Sequence, residues 1–197
     1  MTEFSAFKSF REARDCLDMF LADPGNELLM QKATAHCADA LRNGNQILSC
    51  GNGGSMCDAM HFAEELSGRY RKDRPALPAM AISDPAYLSC VANDYGYTNV
   101  FRRWVEAFGK EGDILIAIST SGKSQNVLEA CEAARSRNMK IIGLSGKDGG
   151  SLIGFASPCF VVPGLTTDRI QELHIKILHI MIEGIERSLF PELYCLS

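Results

Sequence analysis

Asp113-Ile114-Leu115-Ile116-Ala117-Ile118-Ser119, then Thr120-Ser121-Gly122-Lys123-Ser124, then a helical pattern over Gln125–Asn138: this stretch decides the fold class. A continuous apolar run of four to eight residues, bounded by turn residues, suits a strand buried on both faces of a parallel sheet. A parallel neighbour requires a crossover connection, and Gln125–Asn138 is long enough to be one as a helix. The same rhythm repeats on either side. Short apolar runs at Gln46–Cys50, Ala79–Ser83, Lys140–Ser145 and Cys159–Pro163 alternate with helical patterns. Strands alternating with helices predict an α/β protein with a doubly wound sheet.

Further outward the pattern is helical only. Phe4–Leu21 places Phe7, Phe10, Leu17 and Phe20 among charges, and Pro24-Gly25 ends it. Glu27–Arg42 is a second helical pattern, closed by Asn43-Gly44. A long pattern from Thr167 to Leu189 closes the chain ahead of Pro191. No repeat, linker or low-complexity stretch interrupts residues 1–197, so one domain is expected. Residues 1–44 would form N-terminal helices and 45–197 the α/β core.

The bulk numbers fit this reading. The 197 residues are 46% hydrophobic and 22% charged, ordinary for a globular domain. A formal net charge of −4 carries no electrostatic footprint for nucleic acid. Arg69, Arg71, Lys72 and Arg74 form one basic run, expected to be solvated surface. The opening Met1-Thr2-Glu3-Phe4 lacks a signal-peptide plan, and no apolar stretch approaches the ~20 residues of a bilayer span. None of the eight cysteines pairs as C-x-x-C, so reduced thiols in a cytoplasmic protein, without membrane contact, are expected.

Ligands of open α/β sheets bind at the carboxyl ends of the strands, where loops enter helix N-termini. Three segments there carry suitable chemistry. In Gly51-Asn52-Gly53-Gly54-Ser55, glycines allow close backbone approach, and Ser55 can cap the next helix or donate a hydroxyl. A plain tight turn would use the same residues. Ser119-Thr120-Ser121-Gly122-Lys123-Ser124 puts four hydroxyls ahead of a helix. That is an anion site without fixed positive charge, and not a P-loop, whose spacing is absent. Ala92-Asn93-Asp94-Tyr95-Gly96 offers an amide and a carboxylate for sugar hydroxyls, or an ordinary Asx turn.

Two helical segments carry metal-ligand chemistry. His61 and Glu65 are four apart and share a helix face. That spacing serves two ligands of one metal, a ligand and a base, or a surface ion pair. Gln171, Ile175 and His179 follow at the same interval on the last helix. Gln171 and His179 are then about 12 Å apart along the axis, so sharing one ion would require both side chains to lean inward. His174 and His36 are read as structural.

These segments together resemble the phosphoheptose isomerases of the SIS-domain family. The likeness is carried by Ser49–Ser55, Asp58–Leu66, Ala92–Asp94, Ile118–Gly122, Gly146–Gly150 and Arg169–His174, in order through nearly the whole chain. The resemblance implies a five-stranded parallel sheet flanked by helices, assembled as a homotetramer with the help of the N-terminal helices. It implies that Ser55, Ser119, Thr120, Ser121 and Ser124 hold the substrate phosphate. Asn52, Gly53, Gly54, Asn93 and Asp94 would meet the sugar, with Asp168 and Gln171 beside it. It further implies one zinc ion per subunit on His61, Glu65, Gln171 and His179, with Glu65 and His179 as the catalytic pair. The reaction implied is aldose–ketose isomerisation of sedoheptulose 7-phosphate, feeding ADP-heptose and lipopolysaccharide core synthesis. Lys123 departs from the pattern, as does the Pro163–Thr167 loop. The alternative is a non-catalytic SIS adaptor that binds the replication initiator protein, a group without the acid–base pair. A SIS sugar-phosphate sensor is a third reading.

Overall fold

The computed structural model describes residues 4–195. Two helices come first, α1 (Ala6–Leu21) and α2 (Gly25–Arg42). Pro24 and Gly25 do more than end the first helix: Pro24 takes the N-cap position of the second, which starts two residues earlier than the periodicity suggests. The α/β core then runs β1 (Ile47–Gly51), α3 (Gly54–Ser67), β2 (Ala79–Ala81), α4 (Pro85–Tyr95), α5 (Arg102–Phe108), β3 (Ile114–Ile118), α6 (Gln125–Ser136), β4 (Lys140–Gly146), β5 (Cys159–Val162) and α7 (Thr167–Leu189). All five expected strands are present, the edge strand β2 being the shortest. No helix among the described residues is long and apolar enough to cross a membrane.

The sheet is parallel throughout, in the order β2-β1-β3-β4-β5. Strand side chains alternate between faces. Ile47, Ile114, Ile116, Ile118, Ile142, Leu144, Phe160 and Val162 pack against α2, α3 and α7. Leu48, Cys50, Leu115, Ala117 and Ile141 pack on the other face, with Val91 of α4, Val105 of α5 and Val127 of α6. Both faces are covered, which is why the strands read as unbroken apolar runs.

This strand order has a functional consequence. The chain leaves β1 for β2 on one side and returns to β3 on the other, so the order reverses between β1 and β3. The connections after these two neighbouring strands diverge, and a crevice opens at their carboxyl ends. Gly51 pairs in register with Ile118 there. The glycine loop and the hydroxyl loop, 67 positions apart from Asn52 to Ser119, therefore meet.

One expectation is corrected. Ala92, Asn93 and Asp94 do not lie in a loop; they form the last turns of α4, whose N-cap Asp84 accepts from the Tyr87 N–H at 2.7 Å. Asp84-Pro85 is a helix-start signal that the turn reading left out, and the Asn-Asp-Tyr-Gly pattern marks the helix end at Gly96.

Candidate active site

The glycine loop is shaped by close approach. Gly53, with φ +54°, occupies the N-cap of α3, so Ser55 lies inside the helix and is not its cap. A Cβ on Gly54 would sit 2.6 Å from Gln171 Nε2; the missing side chain lets α7 reach this turn. Gln171 Nε2 lies 3.4 Å from Ser55 Oγ. Asn52 is held by a reciprocal amide pair with Asn126, at 2.9 and 2.7 Å, and by the Tyr97 hydroxyl at 3.1 Å.

The hydroxyl loop is pinned from the neighbouring strand's loop. Gly122, with φ +63°, has room for no side chain, since a Cβ there would fall 1.9 Å from the Gly149 carbonyl oxygen. The Leu152 N–H donates to the Gly122 carbonyl at 3.0 Å. Within the loop, Ser119 Oγ meets Ser124 Oγ at 3.1 Å, and Ser124 stands at the N-cap of α6 without capping it through its hydroxyl. Thr120 and Ser121 are half-buried beside them. Lys123 points away and pairs with Asp148 at 2.9 Å, which holds that carboxyl below the usual range.

Helices α3 and α7 lie side by side and meet in the same order along both. Gln171 meets Gly54 and Ser55; one step further, His179 Nε2 lies 2.8 Å from His61 Nε2. Glu65 Oε1 is 3.5 Å from His61 Nε2, and Glu64 Oε1 is 3.2 Å from His61 Nδ1. His61, Glu65 and His179 thus gather one ligand atom each within 4.8 Å of one another. Two imidazole nitrogens and one carboxylate oxygen are the donor set of a catalytic zinc site that keeps a position open. Tyr70 stacks on the His179 ring at 6.0 Å between centroids. Burial, with the His61 ring beside it, lowers the His179 pKa despite Glu65, which favours the neutral imidazole a metal needs.

Not every expected residue joins this cluster. The Gln171 amide lies against Gly54 and Ser55 rather than beside His179. Asn93 and Asp94 are exposed and bonded to each other at 2.7 Å. Asp168, in the first turn of α7, is exposed and paired with Arg169 at 2.9 Å; a bond from the Thr166 hydroxyl lowers its pKa. His174 is fully buried and its Nε2–H donates to the Ser145 carbonyl at 2.9 Å. His36 is half-buried, 3.4 Å from Lys140 Nζ.

Sequence reasoning missed Asn126, Tyr97 and Tyr70, which support the site from elements that no motif marks. It also misplaced Arg74. Far from being solvated, that side chain is fully buried, with Arg74 Nε 2.8 Å from Glu186 Oε1. A basic run reads as surface because its solvation is the common outcome; a single buried member leaves no local signal.

The comparisons agree with this geometry. The SIS domain family matches residues 10–146. The phosphoheptose isomerase of Photorhabdus laumondii is 56% identical over 179 residues, 90% of this chain and 93% of the relative. That of Proteus mirabilis is similar to the same extent. Among solved structures, a phosphoheptose isomerase from Francisella tularensis superposes with a TM-score of 0.85 at 34% identity, covering 91% of this chain and 95% of that one. Phosphoheptose isomerase GmhA from Neisseria gonorrhoeae gives 0.78 at 38% identity, with the same coverage. These relatives are enzymes, so the adaptor alternative is not favoured. With its parallel five-stranded sheet, its two converging loops and its His–Glu–His cluster, the chain belongs to the phosphoheptose isomerase family of SIS-domain sugar-phosphate isomerases.

Proposed function

We propose that the chain interconverts D-sedoheptulose 7-phosphate and D-glycero-D-manno-heptose 7-phosphate, as a step toward ADP-heptose and the lipopolysaccharide core. The observation that carries this reading is the convergence of His61, Glu65 and His179 on one face of α3 and α7, together with the likeness to phosphoheptose isomerases. Converting a ketose to an aldose moves a proton between C2 and C1 through an enediol. One group must take a carbon-bound proton and another must serve the oxygens. Glu65 is assigned the carbon-bound proton, and the neutral imidazole of His179 the oxygen proton. Ser55, Ser119, Thr120, Ser121 and Ser124 hold the phosphate through hydroxyl donors and the α6 N-terminus. Asn52, Gly53, Gly54, Asn93, Asp94 and Asp168 meet the sugar hydroxyls.

His61, Glu65 and His179 would hold one zinc ion, with Gln171 as a fourth donor if its amide swings from Ser55 toward His179. When bound, the zinc supplies Lewis-acid polarisation of the substrate carbonyl. The working assembly is a homotetramer, for which Phe7 and Phe10, exposed on α1, offer apolar surface. The cytoplasm, where free thiols such as the eight here stay reduced, is the proposed location.

The test is direct. Purified protein is given sedoheptulose 7-phosphate, with and without prior treatment by a zinc chelator. Turnover that chelation abolishes and zinc restores supports the reading. Metal-loaded protein that converts no heptose phosphate would overturn it.

A further inference from the structure

Arg74 stands in the irregular segment 68–78, between α3 and the edge strand, outside every motif of the site. Its guanidinium nevertheless makes contacts with both helices that carry the His–Glu–His cluster. Nη2 donates to the carbonyl of Glu65 at 2.7 Å, and Nη1 to the carbonyls of Leu66 at 2.6 Å and Gly68 at 3.2 Å. These include carbonyls of the last turn of α3, which a helix leaves without internal partners and which attract a cation at that end. On its other edge, Nε donates to Glu186 Oε1 at 2.8 Å. Glu186 lies on α7, two turns beyond His179.

Both side chains are wholly buried, at 0% exposure each. Glu186 is not left half-paired: its second oxygen, Oε2, accepts from the Tyr194 hydroxyl, in the 3-10 turn Pro191–Tyr194 that follows α7. A buried ion pair of this kind repays its desolvation only when the remaining donors and acceptors are met. Here they are. Such a pair is weak evidence for stability as such, and its best-attested use is to fix one registration of packed elements.

Registration is what the cluster requires. His61 and Glu65 come from α3, His179 from α7, and a slide of one helix past the other separates them. Gln171 against Gly54 sets the spacing at one end of the helix pair. Arg74 and Glu186 set it at the other end, with a hydrogen bond to the Glu65 backbone itself.

We infer that the Arg74–Glu186 pair, latched by Tyr194, is a positioning device that holds His61 and Glu65 in register with His179. It acts through these residues and does not touch substrate. Groups that orient metal ligands in this way typically cost about 10- to 100-fold in metal affinity or activity when changed. The inference rests on the proposed zinc isomerase reading for two of its readouts, and a third is independent of it.

The experiment uses the full chain with Arg74→Lys, which keeps the charge but loses the planar fork, and Tyr194→Phe, which removes only the latching hydroxyl. Zinc affinity is measured by competition with a chromophoric chelator, and kcat and KM on the heptose phosphate. The ring-nitrogen resonances of His61 and His179 are read by NMR on metal-free protein. For folded Arg74→Lys, zinc affinity and kcat should both fall about 10- to 100-fold, with KM changed less because Ser119, Thr120, Ser121 and Ser124 lie on the loop before α6 and Ser55 lies at the far end of α3. A purely structural pair would lower the melting temperature and leave all three readouts of the folded protein unmoved, and that result overturns the inference. If Arg74→Lys does not fold, Tyr194→Phe decides: a drop of at least about threefold in zinc affinity, with shifted His61 and His179 resonances, supports the inference, and wild-type values overturn it. If the wild type neither binds zinc nor turns over sugar phosphate, the functional reading fails, and the resonances alone judge the pair. A shift in them on Arg74→Lys or Tyr194→Phe sustains the positioning role, and no shift ends it.

Discussion

His61 and His179 bring their Nε2 atoms to 2.8 Å although 118 positions separate them in the chain. At that distance one ring nitrogen donates and the other accepts, so a single proton lies between them. When the donating ring takes its Nδ1–H tautomer instead, both Nε2 lone pairs stand beside the Glu65 carboxylate as three donors for one cation, and this sets the terms for the first expectation.

Glu65→Gln keeps volume and hydrogen-bonding capacity but cannot transfer a proton. Its kcat should fall at least ~10²-fold, or roughly 2.7 kcal/mol of barrier. His179→Ala should lose a comparable factor and also release zinc, since one ligand is gone. Steady-state kinetics and metal analysis on folded protein check both. Near-normal turnover in Glu65→Gln would remove that residue from the mechanism.

The hydroxyl loop should act on binding. Hydrogen bonds to a charged group are worth about 1.5–3 kcal/mol each, so Ser119→Ala with Ser121→Ala should raise KM by about tenfold or more. Circular dichroism should be unchanged. An unaltered KM in the folded double variant would mean that the phosphate sits elsewhere.

Gly122→Ala tests the shape of that loop rather than its chemistry. Alanine at φ +63° meets backbone strain, and its methyl would fall 1.9 Å from the Gly149 oxygen. Backbone cannot move aside as a flexible side chain can. A loss of at least about 2 kcal/mol is expected, from the left-handed conformation and overpacking together. Urea unfolding measures it, and a midpoint equal to wild type would show that the two loops can separate without cost.

His174 should make the protein acid-sensitive. Its Nε2–H is bonded to the Ser145 carbonyl, while its buried Nδ1 has no partner among the described residues. Burial pushes its pKa down to about 4. A base with a depressed folded pKa binds its proton less readily when folded, so the stability is fully present above pH 6.5. It is lost as pH falls from there toward 4, reaching about 3 kcal/mol at the acid limit. Asp58, whose pKa burial raises to about 6, works in the opposite sense over part of this range. The comparison is therefore between wild type and His174→Gln, whose stability profile between pH 7 and 4 should be flatter. Parallel profiles would exclude His174 as the source.

The alternation of strands and helices, the glycine and hydroxyl loops at the strand ends and the spacing of His61 from Glu65 were legible in the sequence. Each depends on interactions within a few residues: apolar runs bounded by turns, hydroxyls before a helix, side chains one turn apart. The placement of Asn93 and Asp94 failed even at this range, because the glycine that ends a helix begun at Asp84-Pro85 looks like an ordinary turn when that start is not read. Other features belonged to the tertiary structure alone. The meeting of Gly54 with Gln171, of His61 with His179, and of Arg74 with Glu186 depends on how α3 and α7 lie across one face of the sheet. Nothing in the local pattern encodes that packing, since a basic residue in a polar run and a glutamate on a helix look solvated until the fold removes the water. The sequence by itself determined which elements form and where the glycine and hydroxyl loops fall between them. Only the packing of those elements decided which side chains share a site, because distances between residues far apart in the chain are set by the burial of the whole core.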